Sequence, residues 1–208
     1  MSKRVGRPTL EEVACGERRS QILNTARALF GQRGYAAVSI GQIAEEVGIT
    51  KAAMYHHFPS KDELYTAVVC DLLEHILAGI RAIVAGEGSV REKLRRLAEQ
   101  AILQVPVDAD MDAFMRDARE HLSPEQRAQI ARAHVGMMAA VTELMQQGIA
   151  KGELQDWGAR LMAYIFMELM IRLNGRNGHA AGFPATPALV DAVLGLFLEG
   201  AAVRTNSR

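Results

Sequence analysis

The sequence predicts an all-α protein of about nine helices, with a small three-helix unit at the N-terminus and a larger helical body behind it. Three observations predict this. Apolar residues recur at the spacing of amphipathic helices almost throughout, and strand-type alternation is scarce. Ser or Thr followed three residues later by Glu or Gln, the capping signature of a helix start, recurs along the chain. Clusters of Gly and Pro punctuate the periodic segments. The 208 residues are 49% hydrophobic and 23% charged, an ordinary composition for a folded protein of one large or two modest domains.

The first helix is predicted over Glu17–Arg33, where Ile22, Leu23, Ala26, Leu29 and Phe30 share one face and Gly34 supplies the stop. Residues 1–16 read as a flexible basic arm. Ser39, with Gln42 as its box partner, starts a second helix that ends at Gly48. Thr50 caps a short third. Ser60 and Glu63 form another box and open a long helix to about Ala85. "GEGSVREK" interrupts the chain, Ser89 with Glu92 restarts it, and Pro106 ends that helix. Asp108–His121 is the next. In "LSPEQ", Ser123 is the cap, Pro124 takes the first helical position and Gln126 closes the box, for a helix to about Lys151. Asp156 caps a helix to about Leu173. Asn174–Pro187 reads as a loop, and Thr186 with Pro187 opens a last helix to about Val203. The organisation read from these signals is an arm over 1–16, a small domain over 17–65, a helical domain over 66–203 and a tail over 204–208.

The formal net charge is +0, so total charge points to neither a nucleic acid nor a membrane. Its distribution says more. Residues 1–65 hold nine basic and seven acidic side chains, leaving 15 basic and 17 acidic for the rest. A mildly basic N-terminal part on a mildly acidic body is compatible with DNA binding. Cys15 and Cys70 form no metal spacing and no disulfide framework, and read as ordinary thiols. The N-terminus is polar, and the most apolar run, Leu161–Leu173, contains Glu168 and Arg172 and is too short to span a bilayer. The reading is a cytoplasmic protein with no membrane partner.

Ile40–His57 stops and restarts a helix where a segment built for burial would continue. Ile43, Ala44 and Val47 face inward on its first helix, Gly48 takes the turn, and Ile49 plugs the core. On the second helix Met54 and Phe58 point inward, which leaves Lys51, Ala52, Tyr55 and His56 on the other face. One cation, one methyl, one phenol and one imidazole make a poor core. They suit a major groove, where a small residue allows close approach and polar ones reach phosphates and base edges.

The longer string "RRSQILNTARALFGQRGYAAVSIGQIAEEVGITKAAMYHHFPSKDELYTAVV" resembles the N-terminal domain of TetR-family transcriptional regulators. The resemblance lies in the "ALF…GY" end of the first helix, the "IAEEVGITKAAMYHHF" core and the "PSKDELY" entry to the fourth helix. It covers about residues 17–70. It implies a helix-turn-helix DNA-binding domain followed by an effector-binding and dimerisation domain. It implies that Ser39 and Thr50 cap helices and bond phosphates or bases, and that Lys51 and Ala52 lie against base edges. It also implies phosphate contacts for Tyr55, His56 and Lys61, with His57 and Phe58 packing the end of the reading helix. In the arm, "GRP" resembles a minor-groove element, which brings Arg4 and Arg7 toward DNA. An arginine in a narrow minor groove is favoured by its negative potential.

A single recognition helix binds weakly, and two-fold dimers reading palindromic half-sites solve that. The last two long helices carry surplus apolar surface: Leu161, Ile165 and Leu169 on one, Val190, Val193, Leu194 and Phe197 on the other. They are the expected dimer interface, in agreement with the four-helix bundle that the resemblance implies. Eight of the ten methionines lie in the body. Met111, Met115, Met137, Met138 and Met167, with Phe114 and Tyr164, are the candidate lining of a site for an apolar or amphipathic small molecule.

The alternatives are an all-helical enzyme, for instance one using His121 or His134 as base, and a ligand-binding or adaptor protein whose N-terminus does not touch DNA. The sequence holds no nucleophile elbow, phosphate loop or zinc-protease motif. Asp117 and His121, with His134 or His75, lack a metal-binding spacing, and Asp117–His121 reads as a surface helix pair. No metal and no cofactor is predicted. The reading is a DNA-binding regulator, a dimeric repressor released from a palindromic operator by a small molecule.

Overall fold

The computed structural model describes residues 10–104 and 111–201, and among them holds ten α-helices and no strand. The head is built from α1 (Leu10–Ala37), α2 (Ile40–Val47) and α3 (Lys51–His57). α1 begins at Leu10, earlier than Glu17, so part of the expected arm is helical. Gly34, at φ 77° and ψ 164°, breaks it where a stop was expected. Ser39 and Gln42 make both halves of a capping box: Ser39 Oγ accepts from Gln42 N at 3.2 Å, and Ser39 N donates to Gln42 Oε1 at 2.8 Å. Gly48 closes α2 in the left-handed region, at φ 75° and ψ 35°, where a side chain adds about 1–2 kcal/mol of strain. Ile22, Ala26 and Phe30 of α1, Ile43, Ala44 and Val47 of α2, and Met54 with Phe58 form one buried core, with Ile49 half-buried against it. The Arg19 guanidinium lies 4.7 Å from the Phe58 ring centroid and ties the end of α3 to α1.

α4 (Lys61–Ala85) runs from the head into the body. Ser60 caps it by accepting from Glu63 N at 3.1 Å, one half of the expected box. α5 (Val90–Leu103) carries the full Ser89–Glu92 box, and Glu153 Oε2 adds a bond from Val90 N at 2.8 Å. Lys93 is buried and donates to Val84 O at 2.7 Å, which satisfies a carbonyl at the end of α4. α6 (Met111–His121) follows, then α7 (Pro124–Ala150) with its Ser123–Gln126 box and Pro124 in the first turn. α8 (Ala159–Leu173), α9 (Gly175–Ala180) and α10 (Pro187–Ala201) complete the described residues. Pro106 lies outside the described residues. α4 packs chiefly on α7, α8 on α7, and α10 on α5.

Two further elements depart from expectation. Gly158, at φ 87°, is the N-cap of α8; Asp156 instead accepts from Gly158 N at 2.9 Å and sets up that turn. Asn174–Pro187 is not all loop, because α9 lies within it. Gly178 N donates to Asn174 O at 3.0 Å, and a Cβ on Gly178 would stand 2.6 Å from Leu173 O. A glycine that reads as a loop former is here the residue that lets a one-turn helix fold back against α8.

Candidate nucleic-acid interface

α3 is short, and it is seated by its two apolar side chains. Met54 and Phe58 are buried one turn apart, so Lys51, Ala52, Tyr55 and His56 emerge into solvent. Thr50 Oγ1 accepts from Ala53 N at 3.1 Å and fixes the start of the helix. Lys51 Nζ stands 5.9 Å from the Tyr55 ring centroid, and the His56 and His57 rings meet edge-on at 6.1 Å. All four residues of the face read from the sequence are exposed.

Beside it lies an open concavity of about 520 Å³, lined by Ala36–Gly41, Lys51, Tyr55, Pro59, Ser60 and Lys61. The start of α2 and the start of α4 both border it. Helix starts present backbone N–H groups with no partner inside the helix and a positive partial charge, which together attract phosphate. Ser39, Lys51, Tyr55 and Lys61 are thus brought together at one site. Ser60 and Gly41 were not foreseen there; their place at the capping positions and first turns of α4 and α2 was the available signal.

Lys61 is held differently from Lys51. Its Nζ lies 4.1 Å from the Tyr35 ring centroid. Burial lowers its ammonium below the ordinary lysine value, and the Asp62 and Asp117 carboxylates oppose that shift. The Tyr35 hydroxyl donates to Asp62 Oδ1.

The family profile described as bacterial regulatory proteins, tetR family, matches residues 22–68, and that described as tetracyclin repressor-like, C-terminal domain, matches residues 87–174. The chain belongs to the TetR family. Among relatives of this TetR-family chain, the HTH-type transcriptional activator FasR of Mycolicibacterium smegmatis is 30% identical over 63% of the chain and 60% of its own length. The HTH-type transcriptional repressor KstR2 of Rhodococcus jostii is 29% identical over 53% and 54%. The chain therefore spans less than two thirds of the length of these two relatives. A solved TetR/AcrR-family regulator from Thermobifida fusca is 26% identical, covers 88% of this chain and 98% of its own, and superposes with a TM-score of 0.64. A regulator from Saccharomonospora viridis, solved in complex with choline, superposes at 0.76 over 91% of this chain and 100% of its own, at 24% identity.

Other expected site residues of the TetR-family chain fare unevenly. Arg4 and Arg7 lie outside the described residues, as does the side chain of Met111. Phe114 and Met137 are buried, and Met115, Met138 and Met167 are half-buried against the core. Phe114 packs on Tyr65, with centroids 5.8 Å apart. Tyr164 is 56% exposed, on the same face of α8 as Leu161 at 55% and Ile165 at 45%. Val190, Val193 and Leu194 are buried within the chain, so they are not a free dimer face. α10 lies on α5 and presents that stripe to its own body. Phe197 is half-buried and meets Phe166 edge-on at 5.3 Å, while Leu196, not foreseen, is 78% exposed. Asp117 and His121 do not form the expected surface pair, and both engage Tyr35 instead. Among the described residues no group of three or more His, Cys, Asp or Glu is placed to hold a metal, and no helix is long and apolar enough to cross a membrane.

Proposed function

We propose that this protein is a ligand-responsive transcriptional regulator that binds a palindromic operator as a homodimer. The observation that carries the reading is the shared border of the exposed α3 face and the starts of α2 and α4 around one concavity. Lys51 and Ala52 reach base edges; Ser39, Thr50, Tyr55, His56 and Lys61 hold phosphates and cap the helices that present them. Arg4 and Arg7, on an arm within residues 1–16, extend the contact into the minor groove. Residues 17–65 form the reading head and 66–203 the effector and dimer domain, at work in the cytoplasm where the DNA is.

Two copies join through α8 and α10. Leu161, Tyr164, Ile165 and Leu196 supply the exposed apolar surface, with Leu169 and Phe197 at its half-buried edge. A small apolar or amphipathic molecule binds among Phe114, Met115, Met137, Met138 and Met167 and shifts the dimer to a form whose heads no longer match the half-site spacing. Occupancy of the operator represses transcription, and the effector releases it. The relatives' names run both ways on that point, since FasR is called an activator and KstR2 a repressor. A reporter driven by the bound promoter decides the sign. DNA binding that weakens linearly in log affinity with log salt supports the reading, and turnover of a substrate without DNA affinity contradicts it.

A further inference from the structure

Tyr35 joins the reading head to α6. Its backbone N–H donates to Asp117 Oδ2 at 2.9 Å, across 82 residues of chain. Its ring stacks on the His121 imidazole, with centroids 4.6 Å apart and planes 20° apart. Its hydroxyl donates to Asp62 Oδ1, and the same ring carries Lys61 Nζ at 4.1 Å. Tyr65 meets Tyr35 edge-on at 5.0 Å and donates its hydroxyl to Phe114 O at 3.2 Å, so a second tyrosine binds the same two elements. Tyr35 is therefore shared between a candidate phosphate contact, which its ring holds, and two residues of α6, His121 on the ring and Asp117 on the backbone N–H.

A lysine side chain is a point charge on a flexible stem, and a contact that holds it in place lowers the entropy lost when it binds. Here the Tyr35 ring is that hold; Phe30, Tyr65 and Asp62 pack or bond it from the head side and His121 from α6, while Asp117 anchors its backbone. We propose that Asp117 and His121, neither of which lines the concavity, are positioning residues that hold Lys61 in its DNA-contacting pose through Tyr35. This rests on the reading of residues 17–65 as a DNA-binding head.

Bare electrostatics and positioning give opposite signs. Asp117 is a carboxylate near a surface that binds an anion, so if only its field mattered, removing it would strengthen binding. If it positions Lys61, removing it weakens binding.

The test uses the full chain and a DNA duplex carrying the site recovered from genomic fragments, with affinity measured across a salt series. Lys61→Ala is expected to lower the slope of log affinity against log salt by about 0.9 per subunit, one phosphate's share. Asp117→Ala and His121→Ala are expected to weaken binding with the same loss of slope, and to add nothing further in a Lys61→Ala background. Asp117→Asn keeps an acceptor for Tyr35 N–H, and His121→Phe keeps the stack, so both are expected to restore the wild-type slope. If Asp117→Ala unfolds the head, His121→Ala carries the same expectation from an exposed position. Wild-type or tighter binding by the alanine variants, or effects that add to Lys61→Ala, overturns the positioning role alone. No DNA binding by the wild type overturns the head reading and the positioning role together.

Discussion

Lys51 and Tyr55 stand one turn apart on α3, with the ammonium 5.9 Å from the ring centroid. That distance is at the outer limit of a cation–π contact. The pair lies side by side on the exposed face, and little holds Lys51 back from DNA. Lys51 and Lys61 are therefore expected to behave differently. Lys51→Ala costs about 1–3 kcal/mol at each half-site and relaxes base preference at one position, as loss of a base contact does. Tyr55→Ala weakens binding to all sites alike. Competition binding with single-base variants of the operator separates the two. An unchanged base preference in Lys51→Ala contradicts its place against base edges.

Ser39 and Ser123 cap their helices in the same way, each with its reciprocal partner, but only Ser39 borders the concavity. Replacing either by Ala costs about 1 kcal/mol of stability, a drop of about 2–4 °C in Tm for a chain of this size. Ser39→Ala also weakens operator binding, and Ser123→Ala leaves it unchanged. Thermal melts beside binding curves on the same preparations check this. Equal binding by the two variants would reduce Ser39 to a cap.

Tyr35 and Tyr65 titrate above the ordinary phenol value. Burial is the larger cause in both; the hydrogen bond and charge of Asp62 add to it at Tyr35, and the Asp117 charge at Tyr65. The sign follows from linkage. Phenols that hold their protons longer in the folded chain stabilise it fully below about pH 10, and that stabilisation is lost as pH rises beyond it. Phenolate absorbance is expected to show two of the four tyrosines ionising only as the chain unfolds. Four tyrosines titrating together before any loss of helicity would contradict the burial of this pair.

Leu161 and Leu196 are each more than half exposed on α8 and α10, while Val193 and Leu194 are buried on the other side of α10. Leu161→Glu or Leu196→Glu is expected to give a folded monomer in sedimentation equilibrium, with operator affinity down at least a hundredfold because one head is lost. Leu194→Glu is expected to unfold the body instead, since it buries a charge with no counter-charge. A dimer that survives both surface substitutions places the interface elsewhere.

What could be read from the sequence was what neighbours in the chain decide. The boxes at Ser39, Ser89 and Ser123 depend on a partner three residues away, and all three form. The reading face depends on four-residue spacing within one short helix. What could not be read depends on residues far apart. An apolar stripe on the last helix does not say whether it faces its own chain or a partner; the position of α5 decides that for Val190, Val193 and Leu194. Tyr35 reads as the end of a helix until Asp117 and His121 are folded against it. α9 is hidden by its own Gly and Asn, which favour a loop until Leu173 is alongside.

The most direct measurement is selection of random genomic DNA fragments by the purified wild-type chain, followed by sequencing of what is retained. A DNA-reading dimer predicts strong enrichment of one near-palindrome of two half-sites, lost as salt rises. A folded dimer that enriches no sequence at low salt would contradict the assignment of the α3 face to DNA.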